Sequence, residues 1–382
     1  MIYLDNAATT FPKPGSVCDE VMRCMCTYCG NPGRSGHILS AEAEKKVYEC
    51  RCGIASLFHS DAPENVVFAC NTTAALNLAI KSFLGRGDHV LISDMEHNSV
   101  IRPVCALAGQ GISYSIYRAD PKPETVLSAI RAKLRPTTRM LVACHSSNVC
   151  GLELPLDAIG RFCRSHNLIF IVDAAQSAGN RAIDMEASGA DVLCAPGHKG
   201  LYGPQGSGFA LFAGKYKDSV LAGRLKTLTE GGNGTQSRDL RMPDFLPERM
   251  EAGTLATPCI AGLCEGVRIV SELGEAAIYA HENTLYRRAR EILCNTPGVT
   301  VYGKEYDSGA ILLFNMDKMP SDAVADELNR QGICVRAGLH CAPLAHKRLE
   351  TPEGGAVRVS FSMYNTADEV EALCRAVREL CG

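Results

Sequence analysis

The chain has 382 residues, too many for one small core and well suited to two coupled α/β units. Its 46% hydrophobic and 21% charged residues are those of an ordinary globular protein, which excludes disordered and fibrous classes. With 39 basic against 42 acidic residues and no long single-sign run, neither a nucleic-acid groove nor a membrane-binding face is expected, and small-molecule chemistry is favoured.

The opening run Met1-Ile-Tyr-Leu-Asp-Asn lacks a basic segment followed by an apolar stretch. Nowhere do about 18 uninterrupted apolar residues occur, so a cytoplasmic protein is expected. Ser16 to Tyr28 reads as helical and carries Cys24, Cys26 and Cys29, part of the densest group among 19 cysteines. The C-x-x-C spacing of Cys26 and Cys29 has no matching second pair, so helix thiols rather than a metal site are expected. From Val66 to Phe212, short β-branched runs alternate with helical patterns, the signature of a parallel sheet with crossover helices. The strands expected are 66–69, 89–93, 113–117, 140–144, 168–172, 192–195 and 208–212. A polar, glycine-rich loop then runs from Glu230 to Thr254. Residues 258–294 are helical by apolar spacing. Strands at 310–314, 333–337 and 356–361, alternating with helices at 321–331 and 366–380, make a smaller α+β unit. The expected division is a large domain of residues 15–257 and a small one of residues 1–14 plus 258–382.

In a doubly wound sheet, ligands bind at the carboxyl ends of the strands, and five of these ends carry polar residues: Asn71-Thr-Thr, Glu96-His-Asn, His145-Ser-Ser-Asn, Asp173-Ala-Ala-Gln and Gly197-His-Lys. Lys199 follows a strand between glycine-rich turns, a place for an amine that forms a Schiff base with a carbonyl. Asp173 ends the apolar run Leu168-Ile-Phe-Ile-Val, where a carboxylate needs a cation such as a protonated pyridine nitrogen. Thr72 and Thr73 open a helix, whose free N–H groups and dipole suit a phosphate. Gln176 is placed to meet a ring hydroxyl, His97 to stack on a flat ring, and His198 to reach the phosphate. An aldehyde, a pyridine and a phosphate together describe pyridoxal phosphate (PLP). Each residue also has an ordinary role open to it: a surface lysine, helix caps at Asp173 and the threonines, a loop histidine.

The ordered set Tyr3-Leu-Asp-Asn-Ala-Ala-Thr-Thr, Gly33-Arg-Ser-Gly-His, Asn71-Thr-Thr, Met95-Glu-His, Ser147-Asn, Asp173-Ala-Ala-Gln-Ser, Gly197-His-Lys, Glu251-Ala-Gly-Thr, Arg336-Ala-Gly-Leu-His-Cys and Arg358-Val-Ser-Phe-Ser-Met-Tyr-Asn-Thr covers nearly the whole chain. It resembles the cysteine desulfurase and selenocysteine lyase family, within the class V aminotransferase superfamily of fold-type I PLP enzymes, and is most similar to the short-loop Suf-type group. The resemblance implies that Lys199 bears PLP, His97 stacks on its ring, Asp173 pairs with the ring nitrogen, Gln176 meets the hydroxyl, and Thr72, Thr73 and His198 hold the phosphate. It implies that Thr254 reaches the phosphate of a neighbouring subunit, and hence a homodimer. It makes Cys341 the thiol that takes sulfur from L-cysteine, leaving a persulfide and alanine, with L-selenocysteine as the other substrate implied. Arg358, Asn148 and Arg34 are the implied substrate-binding residues; the other reading of Arg358 is a surface arginine on an edge strand. Sulfur supply to iron-sulfur clusters or other sulfur transfer, with or without an acceptor protein, is the implied role. A selenocysteine lyase, another C–S lyase, an aminotransferase and a non-turnover sulfur carrier or regulator are the competing readings. Pro196 and Ala74 depart from the Suf-type pattern, and Gly200 reads as an insertion after the lysine.

Overall fold

A computed structural model describes residues 1–306 and 309–382. Its first strand, β1 (Ile2–Tyr3), is followed by the helices Gly15–Arg23 and Ile38–Leu57. Next come β2 (Val66–Ala69), β3 (His89–Ser93), β4 (Ser113–Tyr117), β5 (Thr138–Cys144), β6 (Ile169–Asp173), β7 (Val192–Pro196) and β8 (Gly208–Phe212), which form one seven-stranded sheet in the order β2-β8-β7-β6-β5-β3-β4. The pairs β3–β4, β3–β5, β5–β6 and β6–β7 are parallel, and β8 runs antiparallel to both of its neighbours. This is the doubly wound, mostly parallel sheet expected of a fold-type I enzyme.

Alternate residues of each strand enter opposite cores because successive side chains point to opposite faces. Leu91, Leu141, Phe170, Val172 and Leu193 pack on one face of the sheet. Val90, Ile92, Val142, Ile171 and Val192 pack on the other. With both faces covered by helices, the only places left for polar chemistry are the strand ends.

A second sheet of four strands has the order β12-β13-β10-β9, formed by β9 (Val299–Tyr302), β10 (Ile311–Met316), β12 (Arg336–Gly338) and β13 (Ala356–Ser360). The expected single strand at 333–337 is divided: β11 (Ile333–Cys334) pairs parallel with β1, and only β12 joins the four-stranded sheet. The expected helical run of residues 258–294 is likewise two helices, Thr257–Leu273 and Glu275–Cys294, broken at Gly274, whose φ of 80° lies in the left-handed region that glycine adopts freely. The first of the two packs against Gly15–Arg23 and Ile38–Leu57. Between Gly223 and Thr257 there is neither helix nor strand, as the glycine-rich composition led us to expect.

Residues 3–13 strap the two sheets together. Asn6 donates to the Ser360 carbonyl at 3.0 Å, and Ala7 N donates to Ser360 Oγ at 2.8 Å. A few residues on, Thr10 N at 3.1 Å and Lys13 Nζ at 2.7 Å donate to the carbonyl of His198. The cofactor-side turn of the large sheet is thereby tied to the small one.

Candidate active site

The ends of β2, β3, β5, β6 and β7 meet the small sheet at a cavity of about 210 Å³, lined by Thr72, Thr73, His97, Asp173, Gln176, His198 and Lys199, and by Asn148, Arg336, His340 and Arg358. Burial, followed by the charge of Arg358, lowers the Lys199 ammonium from 10.5 to about 8, while Asp173 opposes the shift. A fraction of the amine is therefore neutral, and nucleophilic, near neutral pH. Asp173 is 1% exposed, its Oδ1 accepts from Ala175 N at 2.9 Å, and burial raises its carboxyl. Such a carboxylate gains strongly from a cation placed beside it.

His97 caps the helix Asn98–Ala108. Its Nδ1 accepts from Ser99 N at 3.1 Å and Ser99 Oγ at 2.8 Å, so the proton sits on Nε2 and the ring is neutral. Burial and the Lys199 charge hold it near 4, well below the usual histidine range. A neutral, fixed ring is the form that stacks on an electron-poor aromatic without adding charge.

Four buried polar atoms in this cavity have no protein partner: Thr72 Oγ1, His198 Nδ1, Asn148 Oδ1 and Arg358 Nε. Leaving such atoms unmatched costs roughly 1–3 kcal/mol each, so the cavity is built for a polar ligand. Thr72 and Thr73 are the first residues of the helix Thr72–Phe83, capped by Asn71, and their end of the cavity suits a phosphate. His198 stays neutral, lowered to about 4 by burial and by Lys199. Gln176 spends one amide N–H on the Ala7 carbonyl at 3.0 Å and keeps its oxygen for a ring hydroxyl. The residues present fit PLP.

On the other wall Arg358 is 1% exposed on β13, an internal strand, so the edge-strand reading does not hold. It donates to Asp5 Oδ1 at 2.7 Å and to the Asn148 carbonyl at 3.1 Å. Arg336 lies directly opposite Arg358 in the β12–β13 register. Two guanidinium groups paired across a ladder repel; Asp5 offsets the charge of Arg358, and the remaining positive charge of the pair suits a further anion such as a carboxylate. Arg336 was visible only as part of a motif; its pairing with Arg358 is a matter of register, which no spacing along the chain reveals. Asn148 is in the cavity, and its Nδ2 donates to the His340 carbonyl at 2.7 Å.

Cys341 is exposed, on the loop that leaves β12, and lines a groove with Thr73, His97, Asn98 and Arg102. Its carbonyl accepts from Asn98 N at 2.7 Å. His340 and Cys341 have φ of 49° and 56°, a left-handed pair of non-glycine residues that costs on the order of 1–3 kcal/mol each unless the surroundings hold it. Anchors on both carbonyls supply that hold, so the thiol is presented beside the cavity by design of the turn.

Two expected residues are not brought here. Arg34 donates to the carbonyls of Gly232 at 2.7 Å and Gly253 at 2.8 Å, at the glycine-rich loop. Thr254 is exposed on the same loop. Within one chain neither lines the Lys199 cavity.

Comparison with known proteins places this geometry. The profile of the aminotransferase class-V family matches residues 2–373. The chain belongs to that family. Family members use PLP, in keeping with the fit of the cavity. Over 386 aligned positions it is 33% identical to a probable cysteine desulfurase of Methanothermobacter thermautotrophicus, covering 100% of this chain and 95% of the relative. A cysteine desulfurase of Yersinia pestis is 30% identical over 388 positions, with 100% and 93% covered. Among solved structures, the apo cysteine desulfurase of Thermococcus onnurineus superposes with a TM-score of 0.89 at 30% identity, covering 100% of this chain and 94% of that one.

Proposed function

We propose that the protein is a cysteine desulfurase that converts L-cysteine to L-alanine and leaves the sulfur as a persulfide on Cys341. The observation that carries this reading is the joining of two walls: Lys199, Asp173 and His97 on strand ends of the large sheet, and the Arg336–Cys341 turn of the small sheet fastened to them through Asn98 and Asn148. The named relatives support it.

PLP, when bound, supplies an electron sink for the charge left on the substrate α-carbon after proton removal. The residues of the chain do the rest. Lys199 would hold the cofactor's aldehyde and, with its amine free, would take the α-proton of the substrate. Asp173, a buried carboxylate that gains from a cation beside it, would hold a protonated ring nitrogen. Arg358 and Arg336 fix the substrate carboxylate, which points the sulfur toward Cys341. The Cys341 thiolate attacks that sulfur, the substrate Cβ–S bond breaks, and a proton reaches Cβ, so that one thiol and one cysteine become one persulfide and one alanine. A waiting aminotransferase has no use for Cys341, and a carrier without turnover has no use for Lys199 and the arginine pair.

We further propose a homodimer in which Thr254 completes the phosphate site of the neighbouring subunit, residues 15–257 as the cofactor domain, and delivery of the persulfide sulfur to an acceptor for iron-sulfur clusters or other sulfur transfer. The deciding experiment gives the PLP-loaded protein L-cysteine, L-selenocysteine, or L-alanine with a keto acid. Alanine from L-cysteine, with sulfide released when a thiol reductant such as dithiothreitol is added to reduce the persulfide, is expected, and both are lost in Cys341→Ser. Alanine from selenocysteine alone would make it a selenocysteine lyase, and no alanine from either would reject both.

A further inference from the structure

The turn that presents Cys341 is held from behind by a file of hydrogen bonds. His340 Nε2 lies 3.2 Å from the Arg336 carbonyl, which can only accept, so this nitrogen carries a proton. His340 Nδ1 lies 3.0 Å from His346 Nε2, and the ring planes are only 17° apart with centroids 5.2 Å apart, so the two rings meet edge to edge. His346 Nδ1 in turn lies 2.9 Å from Thr351 Oγ1. With His340 neutral, one arrangement satisfies every atom. Thr351 donates to His346 Nδ1, His346 Nε2–H donates to His340 Nδ1, and His340 Nε2–H donates to Arg336 O.

Neutrality is imposed by place. The two rings are 3% and 2% exposed, and burial and the Arg358 guanidinium hold His340 at about 3 and His346 at about 4. Every ring nitrogen is occupied, so neither histidine offers a free lone pair to the neighbouring thiol. Their contribution has to be positional.

The support behind His346 is firm. It sits on the six-residue helix Pro343–Arg348, and Arg348 from that helix donates to Asp94 Oδ1 at 2.9 Å and to the Ala119 carbonyl at 2.5 Å, both on the large sheet's side. A fixed helix thus aims a fixed donor at His340, whose own backbone and that of Cys341 are the left-handed pair.

We propose that His346 is a positioning residue for sulfur transfer: its Nε2–H locks the His340 ring onto the Arg336 carbonyl and so keeps the turn in the shape that presents Cys341 to the substrate. This rests on Cys341 being the sulfur-accepting thiol. It adds a residue that never touches substrate or cofactor.

The test is single turnover with L-cysteine on the PLP-loaded enzyme. Two quantities are followed: the change in cofactor absorbance when the amino acid binds, and persulfide on Cys341, by alkylation and mass spectrometry. His346→Phe keeps the ring's shape and removes the donor. It is expected to slow persulfide formation about tenfold or more while leaving the absorbance change intact. His346→Gln, whose amide can place a donor where Nε2–H was, should stay within about threefold of the native rate, and Thr351→Val, at the half-buried start of the file, should cost about threefold. The proposal is overturned if H346F and T351V both form persulfide at the native rate, if H346F and H346Q are slowed equally, or if H346F also loses the absorbance change. Cys341→Ser separates the two readings: native-rate alanine release in that variant rejects Cys341 itself, whereas its loss beside an unaffected H346F rejects only the role of His346.

Discussion

Lys199 owes its reactivity to lost hydration, since the walls around it disfavour the ammonium and Arg358 adds a second positive charge. An amine that titrates near 8 instead of 10.5 reacts with an aldehyde once neutral. Reloading of apoprotein with PLP should therefore accelerate with pH and level off above about 8. A rate that climbs steadily through pH 10 in stopped-flow absorbance would contradict the assignment. Lys199→Ala should bind PLP without the internal Schiff-base band. Glu96, beside His97, has the opposite character. It is 0% exposed, accepts from Ser93 Oγ at 2.6 Å and Cys144 N at 2.8 Å, and burial raises its carboxyl from 4.5 to about 8. In the folded state it keeps a proton that the unfolded chain releases, so its contribution to stability is full below pH 4.5 and is lost as pH rises to about 8. Glu96→Gln should gain on the native protein by roughly 3–5 kcal/mol between pH 4.5 and 8 in denaturant titrations. Equal pH slopes would disprove it.

At the scale of elements, the cofactor turn depends on backbone-to-backbone contact. A Cβ on Gly179 would stand 2.1 Å from the Gly200 carbonyl oxygen, and one on Gly200 would stand 2.4 Å from that of Ala178. The glycine that reads as an insertion after Lys199 is thus the residue that lets this turn lie flat on the segment after β6. Gly200→Ala should weaken PLP binding by about tenfold or more, by displacing the lysine, and fluorescence titration would measure it. The loop bearing Thr254 has its own anchor. Arg51, 6% exposed, meets Glu251 through bonds of 2.7 and 2.9 Å, and Glu251 also accepts from Phe68 N at 2.6 Å. Glu251→Ala would strand a buried guanidinium and should cost about 3–5 kcal/mol in unfolding free energy. Strand ends such as Asp173 and Lys199 were legible in the sequence because a polar residue closing an apolar run is a one-dimensional signal. Glu96 and Arg336 were visible only as members of motifs, and their roles and the His340–His346 pairing were not legible, because what distinguishes them is cross-strand register and burial among distant residues. The division of 333–337 at Val335 escaped for the same reason, since two partners compete for one β-branched run.

For the whole molecule, the displacement of Arg34 and Thr254 from the Lys199 cavity of their own chain gives the dimer proposal a sharp form. A dimer is expected by sedimentation, and a mixed dimer of Lys199→Ala with Thr254→Asp subunits should recover up to about half of native activity, because one of its sites regains both residues. No recovery on mixing two inactive homodimers would place Thr254 outside the neighbour's site. No described helix is long and apolar enough to cross a membrane.

The strap of residues 3–13 has a consequence for how the site comes into being. Arg358, proposed above to hold the substrate carboxylate, is itself held by Asp5, 353 positions earlier, and the Ser360 carbonyl and hydroxyl are met by Asn6 and Ala7. On a ribosome the first of these residues emerges long before its partner exists. The large sheet can assemble during synthesis, yet the arginine wall cannot close until β13, the last strand, is released, so newly made chains are expected to pass through a state with the lysine turn formed and the arginine wall absent. Under the proposed function, a chain cut before β13 would keep much of the cofactor side and lack Arg358, and so would lose its hold on the substrate carboxylate.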